Sequence, residues 1–312
     1  MLTVLSITFP IFAMVALGYG LVWKGVFKSA DMRVFGAYVM NIALPALIFS
    51  AVASRPAREV FNLPYMGVYL AGALATTLIA FLWFSATTDP ARRGVAVMGT
   101  SCPNSGFVGY PLMLILLPDQ AGLILAMNML VENVVIVPLA LVILELGKPA
   151  GRGHPLAKVG RVLVGVIRRP MVIGMLLGLA VSLAGATLPG PLDRLVGLLA
   201  ASAAALALIV IGGSLVGIEI RGSRALAGQI MVGKLLVQPA FTFLAVLALG
   251  ALGVTLAGDL RMAVIVSAAI PMFTIYSVFA QEVGHEGLAS IAQLGATMGA
   301  FVTLNILLAV LG

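Results

Sequence analysis

"TSCPNSGFVGYPL", residues 100–112, lies inside an apolar run from about Val95 to Leu117 and sets Pro103, Pro111, Gly106, Gly109 and Asn104 in its middle. A helix drawn through it loses a backbone donor at each proline. What that loss costs depends on the surrounding solvent, and composition identifies the solvent. Of 312 residues 62% are hydrophobic and only 9% charged, a balance that suits a chain crossing a bilayer many times and not a soluble domain. In hydrocarbon no N–H or C=O can be left unpaired, so a stretch this rich in helix breakers is either buried in protein or lines a cavity.

A hydrocarbon core takes roughly 20 helical residues to cross. Ten apolar runs meet that length, near residues 4–22, 33–53, 65–86, 94–117, 121–144, 168–188, 195–216, 225–253, 260–282 and 287–311. The first is too long for the apolar core of a secretory signal, has no basic region before it and shows no small-residue cleavage site before Trp23 and Lys24; it reads as a retained span. The expected fold class is an all-α polytopic membrane protein with ten transmembrane helices.

Lys and Arg in short loops resist crossing the membrane and so report orientation. With the N-terminus outside, thirteen fall on inner loops: Lys24, Lys28, Arg33, Arg92, Arg93, Lys148, Arg152, Lys158, Arg161, Arg168, Arg169, Arg221 and Arg224. Four fall on outer loops: Arg55, Arg58, Arg194 and Arg261. Both termini are then outside, in a cell membrane and most simply a bacterial inner membrane. The formal charge of +7 is explained by topology and requires no nucleic acid.

The longest polar interruption, "GKPAGRGHPLAKVGRVLVGVIRRP" (147–170), divides the spans five and five. The expected organisation is a first five-helix repeat at 1–146, a cytoplasmic linker at 147–167 and a second repeat at 168–312. Gly18 and Gly178, Ser50 and Ser214, and Pro103 and Pro271 recur at offsets of 160, 164 and 168 residues. Five is odd, so the second half enters the membrane from the opposite side, giving the inverted repeat of secondary transporters. Span 9, "AAIPMFTIYSVFAQ", carries its own interruption at Pro271; a simple kink and a break matching span 4 both fit there.

A broken helix exposes N–H groups and partial positive charge at the start of its second half, where anions bind. Around the first break Pro103, Asn104, Ser105 and Gly106 combine exposed backbone with an amide and a hydroxyl. Around the second, Pro271, Thr274 and Tyr276 offer similar donors. Asn104 can equally be the cap that satisfies the break. In span 2 Pro45 has no N–H for the carbonyl of Asn41, which makes Asn41 a further polar candidate.

Span 5 sets Asn128 and Glu132 one turn apart, with Asn133 beside them, and span 8 sets Lys234 and Gln238 likewise. Ionisable groups at membrane depth normally face an interior and pair. Lys234 has three open roles: counter-ion to a substrate carboxylate, fixed charge in the place of a coupling cation, or structural partner of Glu132. An unpaired Glu132 would be a candidate proton carrier.

Several classes are excluded. Cys102 is the only cysteine, so disulfide scaffolds and cysteine metal clusters are out. Neither His154 nor His285 lies in a span and no H-E-x-x-H occurs; an intramembrane enzyme, a metal site and a cofactor are not expected. A channel or a receptor that binds without transporting remains the competing reading. "GMLLG" from Gly174 and "GATMG" from Gly295 can pack helices within the chain or between two copies in a homodimer.

"NIALPALIF" (41–49), "SCPNSGFVGYPL" (101–112), "RRPMVIGMLLGL" (168–179) and "FAQEVG" (279–284) together resemble the auxin efflux carrier family, above all its bacterial members described as malonate or malate permeases. The resemblance covers essentially the whole chain in order. It implies two inverted five-helix repeats whose broken helices 4 and 9 cross at the centre, and transport of small mono- or dicarboxylates, alone or coupled to a proton or sodium. Pro103, Asn104 and Pro271 would mark the crossing. The long central loop of many plant relatives is absent here, and Met272 and Phe273 stand where a second asparagine would follow Pro271.

Overall fold

Lipid offers the backbone no partners, so apolar runs close their hydrogen bonds internally. The computed structural model describes residues 2–56, 61–147, 168–217 and 223–311, and the regular elements among them are all helices. In chain order they are α1 (Leu2–Trp23), α2 (Ser29–Ala53), α3 (Leu63–Thr87), α4 (Pro90–Ser101), α5 (Ser105–Leu116) and α6 (Ala121–Leu146). There follow α7 (Pro170–Leu183), α8 (Gly190–Ser214), α9 (Arg224–Ala251), α10 (Gly258–Ala269), α11 (Tyr276–Gln281) and α12 (Glu286–Leu311). Six of them, α2, α3, α6, α8, α9 and α12, are long and apolar enough to cross a membrane; α5, α7 and the Phe9–Trp23 part of α1 are shorter apolar helices. Lys148, Arg152, His154, Lys158 and Arg161 of the linker, with Arg58 and Arg221, lie outside the described residues.

Polar residues at the boundaries decide where helices start. Asp89 Oδ1 accepts the N–H groups of Ala91 and Arg92 at 3.1 and 3.0 Å, and Pro90 at the first position gives up a donor that a helix start does not use. Helix α4 therefore begins ahead of its apolar run. Arg92, read from the sequence as a loop residue, stands in the first turn, 3.3 Å from Asp89. Ser223 caps α9 in the same way, through the N–H of Leu226 at 3.3 Å.

Prolines set the interior of four helices. Each of Pro45, Pro111, Pro138 and Pro239 comes two residues after a π-helical turn: Val39–Ala43, Ser105–Gly109, Glu132–Ile136 and Gly233–Val237. A proline ring crowds the carbonyl four residues back, and a wider turn relieves the clash. The N–H groups of Leu44, Val137 and Gln238 accordingly reach back five residues, to Val39, Glu132 and Gly233. The next donor in line would be that of the proline, which has none to give. Pro45, expected to free the Asn41 carbonyl, thus follows a turn in which Leu44 bonds back to Val39.

Two compact units draw alternately on the chain. The first comprises Met1–Asn62, Ser105–Leu130 and Gly165–Gly217; in it α8 packs on α1 and α2, α7 on the second half of α2, and α5 on α1. Glycines permit these approaches. A Cβ at Gly212 would lie 1.8 Å from the Val15 carbonyl oxygen, and one at Gly174 would lie 2.6 Å from that of Pro45. Gly174 thus packs within the chain. The second unit comprises Leu63–Asn104, Val131–Val164 and Ile218–Gly312. Here α3 packs on α4, α9 and α10, α4 on the second half of α6, and α12 on α9 and α11.

Candidate functional site

In the second unit α4 stops at Ser101 and Cys102 turns extended, while α10 stops at Ala269 and Ile270 does the same. The two extended stretches run antiparallel and meet at Pro103 and Met272. The N–H of Asn104 donates to the carbonyl of Pro271 at 2.9 Å, and the N–H of Phe273 donates to that of Cys102 at 3.1 Å. Pro103 and Pro271 have no donor to lose, so both donors of the pairing come from other residues, Asn104 and Phe273, and each interrupted backbone gains a partner without water. Cys102, Ile270 and Met272 are fully buried.

Side chains extend this pairing. Asn104 Nδ2 donates to Thr274 Oγ1 at 3.0 Å, and Gln293 Nε2 of α12 donates to the Thr274 carbonyl at 3.3 Å. Tyr276, expected beside them, uses its hydroxyl elsewhere: it donates to the Val95 carbonyl of α4 at 3.0 Å from a fully buried position. Gly99 makes room, since a Cβ there would lie 2.6 Å from the Tyr276 oxygen. Tyr276 fastens the start of α11 to α4.

A second polar cluster is built on the π turns of α6 and α9. Lys234 is completely buried, and its Nζ donates to Gln238 Oε1 and, at 2.8 Å, to the carbonyl of Ala268. Gln238 Nε2 donates to the carbonyl of Ser101 at 3.2 Å. Ala268 and Ser101 lie in the last turns of α10 and α4, the two helices that lead into the paired stretches. Helix ends carry unsatisfied carbonyls and partial negative charge, and the ammonium answers both. Glu132 accepts the hydroxyl of Tyr69 at 2.6 Å, and its charge acts on Lys234. Asn133 is buried in the same turn. Tyr65 stacks on Tyr69, with ring centroids 6.3 Å apart, and its hydroxyl lies 3.4 Å from Ser267 Oγ.

The structure thus joins Pro103, Asn104, Pro271 and Thr274 in one arrangement and Glu132, Lys234 and Gln238 in another. The remaining expected residues belong to the first unit. Ser105 and Asn128 are buried there, and a Cβ on Gly106 would lie 2.8 Å from Leu44 Cδ1. Asn41 is exposed and returns its amide to the Ala37 carbonyl at 2.7 Å. Sequence reasoning missed Tyr69, Gly99 and the Ser101 and Ala268 carbonyls, none of which carries a local signal. It also missed a legible one: Asn41, Ser105, Glu132 and Lys234 all stand on π turns, four to six residues ahead of a proline. Such turns are frequent at functional sites.

Comparison with known proteins finds similarity to transporters. A protein of Rhizobium meliloti (strain 1021), provisionally named a malonate transporter, is 27% identical over 254 residues, 78% of this chain and 77% of its own. The uncharacterized transporter YfdV of Escherichia coli (strain K12) is 24% identical over 271 residues, 85% of this chain and 84% of its own. An uncharacterized transporter of Methanothermobacter thermautotrophicus is 32% identical over 112 residues, 35% of each chain. The family described as membrane transport protein (Mem_trans) matches residues 3–308, and the chain belongs to that family, the auxin efflux carriers its motifs resemble.

Proposed function

We propose that this membrane transporter is a secondary carrier of a small organic anion, a mono- or dicarboxylate, working by alternating access. The observation that carries the reading is the pairing of Cys102–Asn104 with Pro271–Phe273. It sets an amide donor, Asn104 Nδ2, beside a hydroxyl, Thr274 Oγ1, in a part-buried setting past the ends of α4 and α10. A carboxylate oxygen competes well for that amide, because a charged acceptor is stronger than a threonine hydroxyl. Thr274 is then free to donate to the same ligand. The name of the Rhizobium meliloti relative supports malonate as the first compound to try.

Lys234 fits the fixed-charge role better than that of substrate counter-ion: its hydrogen bonds go to Gln238 and to the end of α10, and it is fully buried. The fuller architecture in this reading has ten spans in two inverted repeats, 1–146 and 168–312, around a cytoplasmic linker at 147–167. Spans 4 and 9 are broken and cross; both termini are outside a bacterial inner membrane. Coupling to a proton or sodium, and a homodimer, belong to the same proposal.

Purified protein in liposomes should show saturable malonate uptake with counterflow, which a channel does not give. Asn104→Ala should weaken carboxylate binding by about 1–3 kcal/mol. Correctly inserted Asn104→Ala with unchanged affinity for a validated substrate would assign Asn104 to capping alone.

A further inference from the structure

The stretch between α10 and α11 is not helical, so its carbonyls need donors from elsewhere. Those of Phe273 and Ile275 are met by the backbone: the N–H of Tyr276 donates to the first at 3.2 Å, and the N–H groups of Val278 and Phe279 donate to the second at 3.2 and 3.3 Å. The Thr274 carbonyl between them takes its donor from another helix, Gln293 Nε2 of α12, at 3.3 Å. Thr274 is therefore held twice, by Gln293 at its carbonyl and by Asn104 Nδ2 at its hydroxyl. The support is a firm one. Ala289, Ala292 and Ala296 form a fully buried face of α12, which packs on α9 and α11, and Thr297 Oγ1 donates to the Gln293 carbonyl at 2.8 Å.

We propose, resting on the carboxylate site described above, that Gln293 is a positioning residue for anion binding: by fixing the Thr274 backbone it aims the Thr274 hydroxyl at the carboxylate that Asn104 engages. It acts through Thr274 and does not touch the substrate. A hydroxyl that accepts from Asn104 keeps its own hydrogen to donate. What that hydrogen is worth to an anion depends on direction, because hydrogen bonds weaken steeply away from linearity. With the backbone held, one stiff side-chain torsion sets the direction. An amide suits the task, since it binds the carbonyl without bringing a charge that would draw or repel the anion itself.

The test measures malonate uptake by the full-length protein in liposomes, together with its melting temperature in detergent. Gln293→Met keeps the length of the side chain and removes the amide. It should raise KM about 3- to 10-fold, the range of one neutral hydrogen bond, and leave kcat within about twofold. Thr274→Val keeps the shape and removes the hydroxyl; in that background Gln293→Met should change KM by less than about twofold. An unchanged KM in Gln293→Met, or an equal rise in both backgrounds, overturns the positioning role whether or not the melting temperature falls. The carboxylate site itself fails differently: wild-type protein that neither takes up nor is stabilised by malonate or a related carboxylate removes that site, and the role of Gln293 with it.

Discussion

Lys234→Met removes a charge while keeping most of the length of the side chain. The ammonium it deletes is fully buried, donates to Gln238 Oε1 and to the Ala268 carbonyl, and feels the Glu132 charge. Two acceptors would lose their donor, and the buried Glu132 carboxylate would lose the opposing charge. Leaving a buried charge without its compensating opposite charge costs about 3–5 kcal/mol. At about 2–4 °C per kcal/mol, the apparent melting temperature in detergent should fall by about 6–20 °C. Glu132→Gln in the same molecule should restore at least half of the loss, because glutamine still accepts the Tyr69 hydroxyl but carries no charge. A Lys234→Met protein that melts like wild type, or a double variant as unstable as the single one, would refute the pairing. A folded Lys234→Met protein that binds carboxylates poorly and is not rescued would return Lys234 to the substrate.

Three further outcomes follow from the same physics. Cysteines placed in the 147–170 loop should be shielded from impermeant reagents in intact cells and one after Leu311 labelled; the opposite pattern reverses the orientation. Gly212→Ala forces a carbon to within 1.8 Å of the Val15 carbonyl oxygen and should destabilise the α1–α8 contact by about 1–3 kcal/mol, read as a lower melting temperature; no change would mean that these helices do not pack closely. Partial burial pushes the Asp89 carboxyl up, but the Arg92 N–H, the Arg92 guanidinium and His285 outweigh it and hold the group below its ordinary value. Its capping contribution is therefore complete above the usual carboxylate range and lost as pH falls through the lowered value. Asp89→Ala should cost about 1 kcal/mol at neutral pH and much less in acid, and a loss independent of pH would contradict the capping role.

Pro103, Asn104 and Pro271 were readable because a helix breaker in an apolar run is a local contradiction that only burial or pairing resolves. Glu132 and Lys234 were readable because a charge at membrane depth is one too. Tyr69 and Gly99 were not. A tyrosine or a glycine in an apolar helix violates nothing until a neighbour from a distant part of the chain stands against it. The expected partner of Lys234 was likewise incomplete. The sequence offered Glu132, whereas the ammonium's hydrogen bonds go to Gln238 and to a backbone carbonyl, and a carbonyl looks the same at every position of a sequence.

Composition and run length alone determined that this chain is helical and belongs in a membrane, since a bilayer core leaves unpaired backbone no other refuge. The positions of the prolines determined where those helices must widen or stop. Tertiary structure decided which interrupted ends meet: Pro103 and Met272 are 169 residues apart in a chain whose local chemistry would accept many partners for either. It also decided what each polar group finds there, because hydrogen bonds depend on distance and direction to atoms brought together only by packing.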